Sequence, residues 1–134
     1  MKDVAAEISP IALPVSKILV AEDEEANFRY IEKLLRRAGF DLLRATNGFE
    51  AVEYARLYED IDLILMDIKM PVMNGMEATR EIKLMKPQIP IIATTAFAIP
   101  GDREVFLRAG CDDYIPKPIK PAMLIDMINS YLKA

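Results

Sequence analysis

Five short apolar runs alternate with longer amphipathic segments along this chain, and this alternation limits the fold more than any other feature. The runs fall at residues 17–21, 40–45, 62–66, 89–94 and 113–115. The run at 62–66, DLILM, is continuously apolar after its first residue, as in a strand that is covered on both faces. A chain of 134 residues is long enough for one domain with its own core. We therefore predict a single α/β domain, in which a five-stranded parallel sheet carries helices on both faces.

The segments between these runs carry signals for helix starts and ends. Apolar residues spaced three and four apart predict the first helix, Glu25–Arg37, which Gly39 would end. Two Asn-x-x-Glu segments, beginning at Asn47 and Asn74, predict capped helix starts. The second apolar run is the weakest, so we place its strand at an edge of the sheet. The predicted helices cover residues 25–37, 48–58, 75–85, 100–108 and 121–132.

Composition and charge exclude several classes of function. The net charge of −4 offers no basic surface for a polyanion, so we expect no direct binding of nucleic acid. The chain has no histidine, which excludes imidazole catalysis and histidine metal ligands. Its one cysteine, Cys111, cannot form an internal disulfide, which suits a reducing compartment. No apolar run approaches the roughly 20 residues that cross a bilayer, so we expect no membrane insertion, and the single cysteine suits a cytoplasmic location.

Charged and polar residues follow four of the predicted strands. Glu22 and Asp23 follow the first strand, Asp67 the third, Thr95 the fourth, and Lys117 the fifth. In an open parallel sheet, ligands bind beyond the carboxyl ends of the strands. We therefore expect these side chains to meet at one edge of the sheet.

Each of these residues also has an ordinary structural interpretation. Acids at the start of a helix, such as Glu22 and Asp23, are favoured by the helix dipole. Asp67 fits a turn that ends a strand, Thr95 fits any strand, and Lys117 alone would be a solvated surface lysine. The combination favours the functional interpretation, because these side chains would otherwise have to come together at one edge of the sheet by chance.

The residue types suit phosphoryl transfer to Asp67. Oxygens of a phosphoryl donor repel an attacking carboxylate, and a hard divalent cation, Mg²⁺ or Mn²⁺, relieves that repulsion. Lys117 and the hydroxyl of Thr95 would contact phosphoryl oxygens. Without a metal the crowded carboxylates should repel one another, so we expect a raised pKa for at least one unless Lys117 offsets it. The expected metal ligands are the carboxylates of Glu22, Asp23 and Asp67 and the main-chain carbonyl of Lys69.

Four motifs carry a resemblance to a known family. They are ILVAEDE at 18–24, DLILMDIKMPVMNG at 62–75, PIIATTA at 90–96 and GCDDYIPKPI at 110–119. Together they resemble the receiver domain of two-component response regulators, over about residues 17–133. The resemblance implies a doubly wound, flavodoxin-like (βα)5 fold of strand order 2-1-3-4-5. It also implies a receiver domain at residues 17–134, with residues 1–16 as an N-terminal extension or linker.

By position, the resemblance implies a role for each site residue. Asp67 matches the phosphoacceptor, which receives its phosphoryl group from the phosphohistidine of a histidine kinase or phosphotransfer domain. Glu22 and Asp23 match the acidic metal-binding pair, although aspartate is commoner than glutamate at the first position. Lys69 matches the residue whose main-chain oxygen contacts the metal. Lys117 matches the family lysine, and its bond to the following proline resembles one that is cis in the family.

The resemblance further implies a two-state switch. Thr95 matches the switch hydroxyl, which phosphorylation draws toward the phosphoryl group, and Tyr114 the switch aromatic, which moves inward. A downstream protein partner would bind the altered surface, and a homodimer is left open. The surface expected to change includes Phe97, Ala98, Ile99, Tyr114 and Pro116.

Two other functions remain open at this stage. A small phosphohydrolase would use Asp67 as a nucleophile on other molecules, but such enzymes want a second acid where this chain has Lys69. A phosphorylation-independent interaction module would lack an acid, the threonine or the lysine, and none is missing. We therefore expect a domain that catalyses only its own phosphorylation and dephosphorylation. The sequence leaves open whether it is a stand-alone receiver or part of a hybrid histidine kinase.

Overall fold

The computed structural model of the chain describes residues 15–96 and 102–132, where five strands alternate with five helices. The strands are β1 (Lys17–Ala21), β2 (Asp41–Ala45), β3 (Ile61–Asp67), β4 (Ile91–Thr95) and β5 (Asp113–Pro116). The helices are α1 (Glu25–Arg37), α2 (Gly48–Leu57), α3 (Gly75–Met85), α4 (Asp102–Ala109) and α5 (Pro121–Leu132). Within these two described ranges, no helix combines the length and the apolar character that crossing a membrane requires.

The five strands form one parallel sheet of order β2-β1-β3-β4-β5, which confirms the predicted fold class. β2 lies at an edge, as its weaker apolar character predicted, and its first residue, Asp41, is exposed. The strand order reverses between β1 and β3. In open α/β sheets such a reversal opens a crevice at the carboxyl ends of the strands, where ligands bind.

Two apolar cores cover the two faces of the sheet. Ile18 and Val20 of β1 enter the core shared with α1 and α5, whereas Leu19 and Ala21 enter the core shared with α2, α3 and α4. Successive side chains of a strand point to opposite faces. Both faces are covered, and so the run at β1 is continuously apolar rather than alternating.

The helix ends follow the predicted signals. The side chain of Asn47 accepts a hydrogen bond from the N–H of Glu50 at 2.8 Å. Asn74 and Glu77 form a reciprocal capping box at the start of α3. Gly39 follows α1 with a φ of +91°, a left-handed conformation that glycine adopts without steric cost.

β1 has the predicted bounds, and each of the other four strands differs from its predicted bounds by one or two residues at one or both ends. β4 begins at Ile91 because the N–H of Ile89 instead donates to the carbonyl of Lys86, in a turn before the strand. β3 extends to Asp67, so this acid is the last residue of the strand, paired in register with Thr94 of β4. The predicted helix start at residue 100 and most of the predicted extension lie outside the described residues.

Two glycines allow the loop after β3 to lie against the starts of α2 and α3. The N–H of Gly75 donates to the carbonyl of Ile68 at 2.9 Å, and a Cβ on Gly75 would lie 2.1 Å from the main-chain oxygen of Asp67. The N–H of Gly48 donates to the carbonyl of Met73 at 2.9 Å, and a Cβ there would lie 2.2 Å from that oxygen. A side chain at either position would push the loop away, so both contacts require glycine.

Gly75→Ala should therefore destabilise the protein far more than Gly39→Ala. The first change forces a methyl group into the main chain of Asp67 and should lower the free energy of unfolding by on the order of 3 kcal/mol. The second meets nothing within 4 Å and loses only the glycine preference at positive φ, about 1 kcal/mol. Urea unfolding measures both losses, and equal values for the two variants would contradict the assigned packing.

Candidate functional site

A cleft of about 270 Å³ opens at the carboxyl end of the sheet, where β1, β3, β4 and β5 end. Five of the residues that the sequence singled out line this cleft. They are Asp23, Asp67, Lys69, Thr95 and Lys117. Glu22 joins them from beneath through its contact with Lys117. The fold thus gathers the polar residues at the ends of four strands into one place.

The ammonium group of Lys117 connects two of the acids. Its Nζ lies 2.9 Å from Oε1 of Glu22 and 3.2 Å from Oδ1 of Asp67. The three side chains are largely buried, with exposed fractions of 19% for Lys117, 1% for Glu22 and 7% for Asp67. Burial acts to lower the pKa of Lys117, but the hydrogen bond to Glu22 and the charge of Asp67 outweigh it, so that pKa is raised. Lys117 is therefore an ammonium ion at neutral pH.

Three carboxylates crowd around this single ammonium. Glu22, Asp23 and Asp67 each offer one oxygen, and these oxygens lie within 4.8 Å of one another. Burial, with the charge of Glu22 as the next cause, raises the pKa of Asp67 to about 6, although Lys117 opposes the shift. This agrees with the expectation that crowding raises the pKa of at least one carboxyl group.

The donor set fits a hard divalent cation. Mg²⁺ prefers oxygen ligands in octahedral geometry and keeps several of its waters. Here Glu22 and Asp67 are buried, whereas Asp23 is exposed at the mouth of the cleft, which leaves room for water ligands. A divalent cation would also offset the excess negative charge of three carboxylates against one ammonium. Lys69 lines the same cleft from the loop after β3.

The short segment that carries Glu22 and Asp23 is fixed by hydrogen bonds. The N–H of Glu22 donates to the carbonyl of Ala45 on β2 at 2.9 Å. The other oxygen of the Glu22 carboxylate, Oε2, accepts from the N–H of Glu24 at 3.1 Å. One side chain thus binds both Lys117 and its own loop, which sets the direction of its carboxylate.

Two residues beside the acids escaped the sequence analysis. Asn27 lines the cleft and its side-chain amide donates to Glu24 at 2.6 Å. Its spacing of three from Glu24 was a signal, since the residue that begins a helix can contact the residue three positions later. Arg44 donates to the main-chain carbonyls of Glu22 and Asp23. Its role had no local signal, because it depends on the pairing of β2 with β1.

A tight turn shapes the loop that carries Lys69. The N–H of Met73 donates to the carbonyl of Pro71 at 2.7 Å, a γ-turn centred on Val72. Val72 has a φ of +70° and is 83% exposed. A β-branched residue rarely adopts this conformation, and such strain costs on the order of 1–3 kcal/mol. The turn brings the chain back to Asn74, where α3 begins.

The two predicted switch residues lie on neighbouring strands. Thr95 is buried at the end of β4, and its carbonyl accepts a hydrogen bond from the N–H of Lys117 at 2.7 Å. Tyr114 is half-buried on β5, with its ring centroid 5.5 Å from that of Phe106 on α4. The Lys117–Pro118 bond is cis, as in the family that the sequence resembles. Residues 97–99 of the expected readout surface lie outside the described residues.

Comparison with known proteins places the chain in one family. It matches the response regulator receiver domain family over residues 18–129. It is 41% identical over 117 residues to the polar-differentiation response regulator DivK of Brucella anthropi, covering 86% of this chain and 94% of DivK. It is 42% identical over 134 residues to hybrid signal transduction histidine kinase I of Dictyostelium discoideum. That match covers 94% of this chain but only 8% of the kinase, so the chain spans a small part of that relative.

Solved structures give the same answer. One match is the receiver domain of the sensor histidine kinase PA1611 from Pseudomonas aeruginosa, which was crystallised with a magnesium ion in its active-site cleft. The TM-score is 0.84 and the sequence identity 39%, and the match covers 90% of this chain and all of the PA1611 domain. The receiver domain of Ssk1 from Saccharomyces cerevisiae, in complex with the histidine phosphotransfer protein Ypd1, matches with a TM-score of 0.82 and 28% identity, covering 90% of this chain and 91% of that chain. The chain therefore belongs to the response regulator receiver domains, the receivers of two-component signal transduction.

The raised pKa of Asp67 predicts how the stability of the metal-free protein depends on pH. A carboxyl whose pKa is higher in the folded state than in the unfolded chain holds its proton more tightly when folded. The folded state therefore becomes less stable, relative to the unfolded chain, as pH rises from about 4, the ordinary pKa of aspartate, through about 6. Asp67→Asn does not titrate and should be more stable than wild type at pH 7.5, by on the order of 2 kcal/mol.

The stability advantage of Asp67→Asn over wild type should be smaller at pH 5.0 than at pH 7.5, by about 1 kcal/mol. Urea unfolding with a chelator present measures it at both pH values. Asp62→Asn is the matched control, because Asp62 lies on the same strand but is exposed and far from the cleft. An Asp67→Asn advantage that does not change with pH would contradict the raised pKa.

Proposed function

We propose that this receiver takes a phosphoryl group onto Asp67 from a phosphohistidine, with the help of Mg²⁺ or Mn²⁺. The observation that carries the proposal is the ammonium of Lys117, bound at once to Glu22 and Asp67 at the cleft that Asp23 and Thr95 line. A strand-ending turn residue would need neither the buried lysine nor the neighbouring acids.

The metal ligands in this proposal are protein oxygens at the mouth of the cleft. The carboxylates of Glu22, Asp23 and Asp67 would hold the cation, together with the main-chain carbonyl of Lys69. The magnesium ion in the cleft of the related PA1611 receiver supports this assignment. When bound, the cation supplies positive charge that lets an anionic phosphoryl donor approach the carboxylates.

The transfer itself is carried by side chains of this chain. An oxygen of ionised Asp67 attacks phosphorus, the new O–P bond forms as the P–N bond breaks, and the donor imidazole leaves with the electron pair. Lys117, 3.2 Å from Asp67, is placed to contact an oxygen of the arriving phosphoryl group. Thr95 would donate its hydroxyl to another oxygen. Both contacts favour the charge that the phosphoryl group brings into a partly buried site.

The switch in this proposal runs through the end of β4. Drawing Thr95 toward the phosphoryl group would move the strand beside Tyr114, which pairs in register with Ala93. The Tyr114 ring packs on Phe106, so its inward movement would also change the contact between β5 and α4. We propose that a downstream protein reads the face that includes Tyr114 and Pro116.

The phosphoryl donor is proposed to be a histidine kinase or a phosphotransfer protein. Support comes from Ssk1, a related receiver whose structure was solved together with the phosphotransfer protein Ypd1. The net charge of −4 supports protein rather than nucleic acid as the downstream partner.

A cytoplasmic location rests on the single, buried Cys111, which suits a reducing compartment. The match beginning at residue 18 supports a receiver domain at 17–134 after a linker.

We propose that the domain turns over only its own phosphoryl group. A hydrolase of external phosphate esters would place a second acid two residues after the nucleophile, to protonate the leaving group. That position holds Lys69, whose ammonium group cannot serve as that carboxylic acid. A receiver that takes its phosphoryl group from phosphohistidine needs no such acid, because imidazole is a good leaving group.

Incubation with acetyl phosphate and Mg²⁺ should add the mass of one phosphoryl group to the wild-type protein. A chelator should abolish the gain, because the carboxylates then repel the donor. Asp67→Asn should show no gain, whereas Asp62→Asn, the exposed aspartate of the same strand, should behave as wild type. Intact mass spectrometry measures all four cases. No gain in wild type, or an equal gain in Asp67→Asn, would overturn the proposal.

A second experiment tests the switch rather than the acceptor. Binding of fluoroberyllate, a phosphoryl mimic, to the Mg²⁺-loaded protein should shift the amide NMR signals of Tyr114 and Phe106 as well as those of the metal site. Fluoroberyllate should leave the spectrum of Asp67→Asn unchanged. Shifts confined to the residues around Asp67 in the wild-type protein would mean that the site is not coupled to α4 and β5.

A further inference from the structure

One guanidinium group on the edge strand contacts the acid-bearing loop at two points and the start of α1 at a third. Arg44 of β2 places Nε 3.2 Å from the main-chain oxygen of Glu22 and Nη2 3.3 Å from that of Asp23. Its Nη1 lies 2.7 Å from Oε1 of Glu25 at the start of α1. The side chain is 22% exposed, so these contacts are partly shielded from solvent. Arg44 therefore connects the first two residues of the loop, Glu22 and Asp23, with the first residue of α1, Glu25.

The two carbonyl contacts fix the orientation of the loop's peptide groups. Residues 22–24 connect β1 to α1, and this segment carries two of the three clustered carboxylates. Rotation of the peptide that follows Glu22 or Asp23 would swing their carboxylates away from Asp67. The carbonyls that Arg44 binds belong to these two peptides. The backbone bond from Glu22 to Ala45 restrains only the beginning of the segment.

Arg44 is itself held in place by an aromatic ring. Its guanidinium carbon lies 4.5 Å from the ring centroid of Phe28, which is buried in the core between α1 and the sheet. A planar guanidinium can stack on a ring and donate several hydrogen bonds in its plane at the same time. A lysine ammonium at this position would have neither the plane nor the fork of donors.

A positive charge beside a cation site would ordinarily weaken cation binding. Here Glu25 offsets that charge, because its carboxylate pairs with the guanidinium at 2.7 Å. Glu25 thus reduces the positive charge that Arg44 brings next to the carboxylates, while its other oxygen, Oε2, pairs with Arg29 at 2.8 Å.

From these contacts we infer that Arg44 is a positioning residue for the divalent-cation site: its forked contacts hold Glu22 and Asp23 in the conformation that binds the metal. The inference rests on the proposed metal-dependent function of the acidic cluster. Arg44 touches neither Asp67 nor the reacting atoms, so its effect is on cation affinity and not on the transfer step.

Calorimetric titration of the full chain with Mg²⁺ tests this inference. Arg44→Ala should raise the Kd for Mg²⁺ roughly tenfold, as is typical when a group that orients metal ligands is removed. Arg36→Ala is the matched control, since it removes the same charge from an arginine paired with Glu32 in the last turn of α1. Its Kd should stay within about a factor of two of the wild-type value, because the lost charge is distant and exposed.

Phosphorylation by acetyl phosphate gives a second readout that a general loss of stability would not reproduce. At limiting Mg²⁺ the rate for Arg44→Ala should fall in proportion to the weaker binding. At saturating Mg²⁺ the rate should return to the wild-type value, because the acceptor and Lys117 are unchanged. A rate that stays low at saturating Mg²⁺ would contradict a role limited to positioning the metal ligands.

Milder variants keep the test decisive if Arg44→Ala fails to fold. Arg44→Lys keeps the charge but loses the fork, so its Kd for Mg²⁺ should still rise. Glu25→Gln removes the carboxylate that Arg44 and Arg29 share, so its Kd for Mg²⁺ should rise more at low than at high ionic strength. Wild-type affinity in Arg44→Lys and in any folded Arg44→Ala would overturn the inference while leaving the proposed function intact. A wild-type protein that binds no Mg²⁺ would overturn both.

Discussion

The buried ammonium of Lys117 is the interaction on which the rest of the site depends. Lys117 contacts residues at three other strand ends. Its ammonium group binds Glu22 after β1 and Asp67 on β3, and its main-chain N–H donates to the carbonyl of Thr95 on β4. These ends are neighbours because the sheet order places β1, β3, β4 and β5 side by side. One positive charge among three carboxylates leaves the cleft short of positive charge. That shortage adds to the effect of burial in raising the pKa of Asp67, and it explains the fit to a divalent cation and the chemistry proposed for the cleft.

The fold could be predicted because local signals and tertiary environment agree. Alternate residues of β1 enter opposite cores, so a strand covered on both faces had to be apolar throughout, and the sequence shows it. Boundaries were less predictable where a turn competes with a strand. Ile89 has the side chain of a strand residue, but its N–H is used by a turn bond to Lys86.

The site was predictable only in part, for a different physical reason. Acids and a lysine at strand ends follow from chain order, because parallel strands bring their carboxyl ends together. The contacts of Arg44, Gly48 and Gly75 arise from pairing between distant segments and have no local pattern. The same holds for the pKa of Asp67, since burial is its largest cause and burial is a property of the folded chain.

In the proposed function the phosphoryl group binds to Asp67 and to no other of the 21 acidic residues. Borohydride reduces an aspartyl phosphate to homoserine, so it marks the acceptor permanently. Reduction of the phosphorylated protein, followed by peptide mass spectrometry, identifies the marked position. We predict homoserine at position 67. A mark at any other acidic residue, such as Asp23 at the mouth of the same cleft, would contradict it.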